Sequence, residues 1–203
     1  MMYTIKTEVV PMNKPLYLFV GRSSSGKTTV ANKLEERYGY KQVSSYTTRS
    51  PRYEGEIGHV FVSEEEFDQL GELAAYTFYN GFRYGTTFEQ LDECNIYVVD
   101  TYGVKTLLEK CKNYNRPIYV IYFDATVYNR IQRMLNRGDS DMQIVSRLLQ
   151  DEQDDWYRQL ETLVWNYANN EKMNVVLYKV DANGMLPDVV AQTINYINMH
   201  EEE

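Results

Sequence analysis

The chain has 203 residues, 43% of them hydrophobic and 25% charged, with a formal net charge of -8. This fits a single domain with room for an inserted subdomain, and it argues against nucleic acid as the main partner, because binding a phosphate backbone needs a basic surface. No run approaches the roughly 18 apolar residues of a membrane span.

The two histidines, His59 and His200, are too few for a zinc cluster or a histidine-based triad. Cys94 and Cys111 lack metal-ligand spacing and are expected as free thiols. Met1 to Lys14 shows no apolar signal region, so a cytoplasmic protein is expected. Nothing in the chain specifies monomer or homodimer.

In chain order, Leu16 to Val20 is an apolar run that reads as a buried strand. Gly21-Arg-Ser-Ser-Ser-Gly-Lys-Thr28 follows and satisfies the phosphate-loop pattern G-x-x-x-x-G-K-[ST]. Thr29 to Tyr38 has helical spacing at Val30, Leu34 and Tyr38, with Gly39 as its C-cap. His59 to Val62 reads as a short strand, and Ser63 with Glu66 as a capping box opening a helix. Asn80-Gly81 interrupts the aromatic stretch from Ala74 to Thr87 and predicts a hairpin. Ile96 to Val99 is a strand ending at Asp100, Gly103 to Lys112 a helix, Ile118 to Phe123 a strand, and Thr126 to Asn136 a helix. Arg137 to Asp141 breaks the pattern. Gln143 to about Tyr167 then reads as one long helix, Asn174 to Val180 as a strand, and Pro187 to Met199 as a closing helix. Strands alternating with helices predict an α/β core around a parallel sheet, with residues of about 45–90 as a small mixed sheet inserted into it.

The strand, glycine loop and helix together supply backbone N–H groups beside a helix N-terminus, an arrangement that holds phosphate. Lys27 is then expected to reach the β- and γ-phosphates and Thr28 to meet Mg²⁺. Arg49 and Arg52 flank a proline in a hydroxyl-rich turn, and guanidinium suits a second phosphate; an ion pair with Glu54 or Glu56 is the alternative. Arg133 and Arg137 share a helix face, and Arg147 lies where the chain can fold back as a lid. Three basic clusters in an acidic chain point to phosphoryl transfer between two phosphorylated ligands rather than to simple hydrolysis.

Ser45-Tyr-Thr-Thr-Arg-Ser-Pro-Arg52, joined to the phosphate loop, resembles the guanylate kinase family over most of the chain. The resemblance implies a P-loop NTPase three-layer core (about 15–44 and 91–203), a nucleoside-monophosphate-binding subdomain (about 45–90) and a helical lid (about 137–147). It implies ATP with Mg²⁺ as the donor and GMP or dGMP as the acceptor. Gly21, Ser23, Ser24, Ser25, Gly26, Lys27, Thr28, Thr29 and Arg133 would bind ATP, with Thr28 and Asp100 toward the metal. Ser45, Arg49, Arg52, Tyr84, Thr86 and Asp100 would bind the acceptor, Thr86 near the guanine edge. Lys27, Arg49, Arg137 and Arg147 would serve catalysis. The chain departs from the family pattern at Ala75 and Val98, where acids are usual; Glu72, Glu89 and Asp92 are candidate substitutes. A family asparagine near the donor base is not evident between Lys179 and Asn183. Another nucleotide or a phosphorylated sugar as acceptor, and a non-catalytic binding module, are the alternative readings.

Overall fold

The computed structural model describes residues 14–51, 54–112, 116–151 and 155–201. The central strand, β1 (Leu16–Val20), is buried at all five positions. It pairs in parallel with β6 (Ile96–Val98) and with β7 (Ile118–Asp124), and β7 pairs in parallel with β8 (Val175–Asp181), giving the order β6-β1-β7-β8. Alternate residues of β1 serve opposite layers. Leu16, Leu18 and Val20 pack with α4 (Thr101–Lys110) and α7 (Trp156–Asn169), through Val104, Leu107 and Leu160. Tyr17 and Phe19 pack with α1 (Lys27–Tyr38) and α8 (Leu186–Glu201), through Val30, Leu34, Val190 and Ile197. Because both faces are covered, the strand is an unbroken apolar run without alternation.

A second sheet, ordered β3-β2-β5-β4, is inserted between α1 and β6. β2 (Ser45–Thr47) pairs in parallel with β3 (His59–Phe61) and antiparallel with β5 (Phe82–Thr87), and β5 pairs antiparallel with β4 (Leu73–Tyr79). Asn80 and Gly81 both have positive φ, 53° and 79°, as the two-residue hairpin turn requires. Ser63 and Glu66 form the expected capping box of α2 (Glu64–Asp68), and Thr87 with Gln90 forms a second on α3 (Phe88–Asp92). The result is an α/β fold with a parallel core sheet and a mixed-sheet insertion.

α5 (Val127–Arg137) begins at its cap Thr126 and ends at Gly138, which is left-handed with φ 86°. The long helix expected from Gln143 to Tyr167 is two helices, α6 (Asp141–Asp151) and α7. Asp151 is drawn into a buried ion pair with Arg130, and Asp155 starts α7 by accepting the Arg158 N–H. Asp100 likewise caps α4, its carboxylate accepting the Gly103 N–H at 2.6 Å.

Gly103 marks where α4 meets the core most closely: a Cβ there would lie 2.4 Å from Val99 Cγ2 and 3.2 Å from Thr77 Oγ1. Gly103→Ala gains about 1 kcal/mol in helix propensity but forces overpacking of about 1–3 kcal/mol. The variant is therefore expected to be the less stable, with a lower urea midpoint at unchanged slope. A midpoint equal to wild type or higher would show that the helix backs away at no cost.

Candidate active site

The phosphate loop leaves β1 through Gly21, whose φ of 151° brings it against β7: a Cβ would meet the Phe123 carbonyl oxygen at 2.7 Å. Ser24 and Gly26 also have positive φ, 60° and 102°. Gly26 is the N-cap of α1 and supplies no side-chain cap, so the first-turn amides and the positive helix end are left to an anion. Lys27 folds back, its Nζ donating to Gly21 O at 2.5 Å, Arg22 O at 2.9 Å and Ser25 Oγ at 3.3 Å. Desolvation pushes its pKa down from 10.5 to about 8; Arg130 adds to the fall, while Asp151 and Asp100 oppose it.

Arg133 braces the loop from its carbonyl side, donating to Ser24 O at 3.3 Å, Ser25 O at 3.0 Å and Ala182 O at 2.6 Å. Arg130, wholly buried, donates to Ser23 O at 2.9 Å and pairs with Asp151, which in turn accepts the Ser23 N–H at 2.9 Å. Asn183, just past β8, accepts from Thr126 N at 2.8 Å and Asn129 Nδ2 at 3.0 Å, tying the start of α5 to the sheet.

A cavity of about 590 Å³ separates the core from the second sheet. Lys27, Thr28 and Asp100 border it on the core side, Arg49 and Tyr84 on the side of the second sheet, and Arg137 and Arg147 from α5 and α6. The basic clusters, far apart in sequence, thus converge on one space. A second cavity of about 320 Å³ lies between the loop and α5, bordered by Gly26, Thr28, Thr29, Arg133 and Arg137.

Each guanidinium facing the large cavity has a carboxylate partner. Arg49 makes a two-bond pair with Glu56, at 2.8 and 3.1 Å, and lies 5.3 Å from the centre of the Phe61 ring. Asp139 pairs with Arg137 through both carboxylate oxygens and with Arg147 at 3.5 Å. Asp100 accepts from Thr77 Oγ1 at 2.9 Å besides capping α4. Burial pushes its carboxyl above the usual range, while Gly103, Thr77 and Lys27 pull it back.

Other sequence-predicted residues stand apart from the cavity. Ser45 is buried and shares a 3.0 Å hydrogen bond with His59 Nδ1; His59, not Ser45, borders the space. Thr86 is fully buried and donates to Gln90 Oε1 at 2.8 Å instead of facing the cavity. Opposite it across the hairpin stands Ala75, also buried, and Val98 with Val99 forms the apolar wall nearby. Of the candidate substitute acids, Glu72 pairs with Lys110, and Glu89 and Asp92 lie on α3; none borders the cavity. Arg52 lies outside the described residues.

No protein-family model matches the chain. It is 32% identical over 146 residues to a guanylate kinase of Geobacter metallireducens, an alignment covering 65% of this chain and 70% of that protein. It is 34% identical over 139 residues to a guanylate kinase of Syntrophus aciditrophicus, covering 62% and 65%. A guanylate kinase of Fusobacterium nucleatum is 28% identical over 143 residues, covering 64% and 74%.

The chain belongs to the guanylate kinase family.

Within this family member, sequence reasoning overlooked Arg130, Asp139, Gln150 and Asp151. Arg130, Arg133 and Arg137 fall at i, i+3 and i+7, one stripe of α5, and that spacing was the available signal. No sequence signal marks Asp151, whose burial is wholly tertiary. The Arg49–Glu56 pair is nearly buried, with side chains 9% and 6% exposed. Removing one partner of a fully buried pair costs about 3–5 kcal/mol; with the guanidinium edging an open cavity, about 2 kcal/mol is expected for Glu56→Ala. Urea unfolding checks this, and an unchanged midpoint would mean that Arg49 is solvated at no cost.

Proposed function

We propose that this protein is a nucleoside-monophosphate kinase of guanylate kinase type, moving the γ-phosphoryl of ATP to the phosphate of a nucleoside monophosphate. The observation that carries the reading is the meeting of Lys27 and the uncapped α1 N-terminus with Arg49, Arg137 and Arg147 around one cavity.

In this reading the loop amides from Ser24 to Thr29 hold the donor phosphates at the helix N-terminus, and Lys27 turns from the loop carbonyls to the β- and γ-oxygens. Arg49 and Tyr84 hold the acceptor phosphate, with Arg52 assigned there by resemblance. Arg137 and Arg147, on a lid formed by residues of about 137–147, neutralise charge on the transferring group and exclude water. Because transfer is mostly positioning and charge neutralisation, no strong general base is required. The exposed Thr28 hydroxyl and the Asp100 carboxylate are oxygen donors on the same cavity, which fits a hard cation completed by phosphate oxygens. Thr28 and Asp100 would hold Mg²⁺, which would supply charge neutralisation for the donor phosphates. Among the described residues no helix is long and apolar enough to cross a membrane.

One specific observation favours a second acceptor reading. Ala75 and Val98 stand where the resemblance calls for acids, and the Thr86 hydroxyl is engaged by Gln90. An acceptor other than GMP or dGMP therefore stays in the test.

A coupled ADP-release assay with MgATP across the common ribo- and deoxyribonucleoside monophosphates decides between them. Turnover with at least one acceptor, well above ATP hydrolysis alone, is expected, and Lys27→Met should abolish it without lowering the melting temperature. No turnover with any acceptor would reject the proposal.

The lowered pKa of Lys27 sets a pH dependence. The free enzyme loses the ammonium above about pH 8, so kcat/KM for ATP should fall toward tenfold per pH unit beyond that point. Stability runs the other way. Between about 8 and the ordinary 10.5 the folded state binds fewer protons than the unfolded one, so this group's contribution rises with pH over that window. A kcat/KM profile flat to pH 9.5 would reject a titrating Lys27.

A further inference from the structure

Two charges taken wholly out of water return little net stability, and apolar residues of similar volume hold helices together as well or better. Arg130 and Asp151, 0% and 1% exposed, are therefore a costly way to pack α5 against α6. What an apolar pair cannot do is hold one residue by both its amide and its carbonyl. Arg130 Nε donates to the Ser23 carbonyl at 2.9 Å. Asp151 accepts from the Ser23 amide at 2.9 Å and faces its hydroxyl at 3.4 Å. Ser23, the third residue of the phosphate loop, is pinned front and back by this ion pair.

The neighbouring residue, Gln150, points elsewhere, as consecutive positions of a helix must. Its Oε1 accepts from the Tyr79 hydroxyl at 2.9 Å, and its Nε2 donates to Asn80 Oδ1. Tyr79 and Asn80 form the tip of the β4–β5 hairpin and border the large cavity from the acceptor side, while Ser23 borders it from the donor side. Two successive residues at the end of α6 thus grip both walls of the cleft.

We propose that Gln150 and Asp151, with Arg130, form a positioning latch that couples the acceptor-side hairpin to the phosphate loop. None of the three transfers a proton or a phosphoryl group. They set the register between donor and acceptor, where misplacement by 1 Å costs about a hundredfold in rate. The proposal rests on the phosphotransfer reading above. It makes the last turn of α6 more than a lid support: beside the direct Tyr79–Ser23 side-chain contact, one helical turn ties the hairpin to Ser23.

The test uses the full chain and two variants, Gln150→Ala and the double replacement Arg130→Met with Asp151→Leu. The double replacement should melt within a few degrees of wild type, since apolar packing substitutes for a buried pair. In amide NMR spectra, a non-hydrolysable MgATP analogue should shift the Asn80 and Gly81 resonances of the wild type, and these shifts should vanish in both variants. With the best acceptor from the assay above, kcat should fall about tenfold in each while Kd for the analogue changes less than threefold. Wild-type NMR responses and kcat in either variant would overturn the latch while leaving the kinase reading intact. Failure of the wild-type chain to bind the analogue would overturn both. If the double variant does not fold, Gln150→Ala, whose side chain holds no buried charge, decides alone.

Discussion

The cleft depends on keeping a strained stretch of backbone turned the right way round. Three residues of the phosphate loop sit at positive φ, and the loop has no sheet or helix partner of its own. Its orientation comes from cations on its carbonyl side. Gly21 and Arg22 carbonyls accept from Lys27, Ser23 from Arg130, and Ser24 and Ser25 from Arg133. With five successive carbonyls engaged, collapse of the loop onto itself would break several charge-assisted hydrogen bonds at once. A backbone anion site is thereby preorganised from behind, by Arg130 and Arg133 on the Ser23 to Ser25 carbonyls and by Lys27 on those of Gly21 and Arg22.

The same economy governs the charges in the cavity. The chain carries a net -8, yet its cleft gathers one lysine and three arginines. Glu56 on Arg49, Asp139 on Arg137 and Arg147, and Asp100 near Lys27 hold these cations in place and offset most of their charge. The two-bond geometry of Arg49 and Glu56 is the geometry a phosphate would use. A phosphate arriving there joins or displaces a carboxylate and meets a guanidinium already ordered, so little side-chain entropy remains to be lost.

What was legible in the sequence was local. The strand, loop and helix from Leu16 to Tyr38 follow from a contiguous motif, and the hairpin at Asn80-Gly81 from two residues that tolerate positive φ. The capping box at Ser63 follows from a short side chain placed before apolar spacing. What was not legible depended on distant partners. Between Asp151 and Asp155 no glycine or proline signals a break, and the acidic, polar run reads as continuing helix. It is Arg130, 21 residues earlier, that draws Asp151 inward. Sequence spacing allowed Arg49 to pair with Glu54 or Glu56, and only the fold of the turn selects Glu56. Thr86 sits in the right segment for a base contact, but the Gln90 capping box captures its hydroxyl.

The two halves of the cleft on the side of the second sheet are therefore built to different standards. The phosphate half is charged, paired and rigid. The cavity wall beyond it includes Val98, Val99 and Phe82, and Asp100 Oδ1, a carboxylate oxygen bordering the same cavity, already accepts from Thr77 and Gly103. A base placed against those valines with unmet N–H donors forfeits about 1–3 kcal/mol for each one left buried and unpaired. A base without such donors on that edge forfeits nothing. Discrimination in such a pocket comes from which donors a base must bury rather than from an acid that rewards one of them. Under the proposed function, affinity would be carried by the phosphate and would be nearly common to all acceptors. A site of this construction ranks its substrates by rejection, and the width of its acceptor range reports how wet the valine wall remains when the cleft closes.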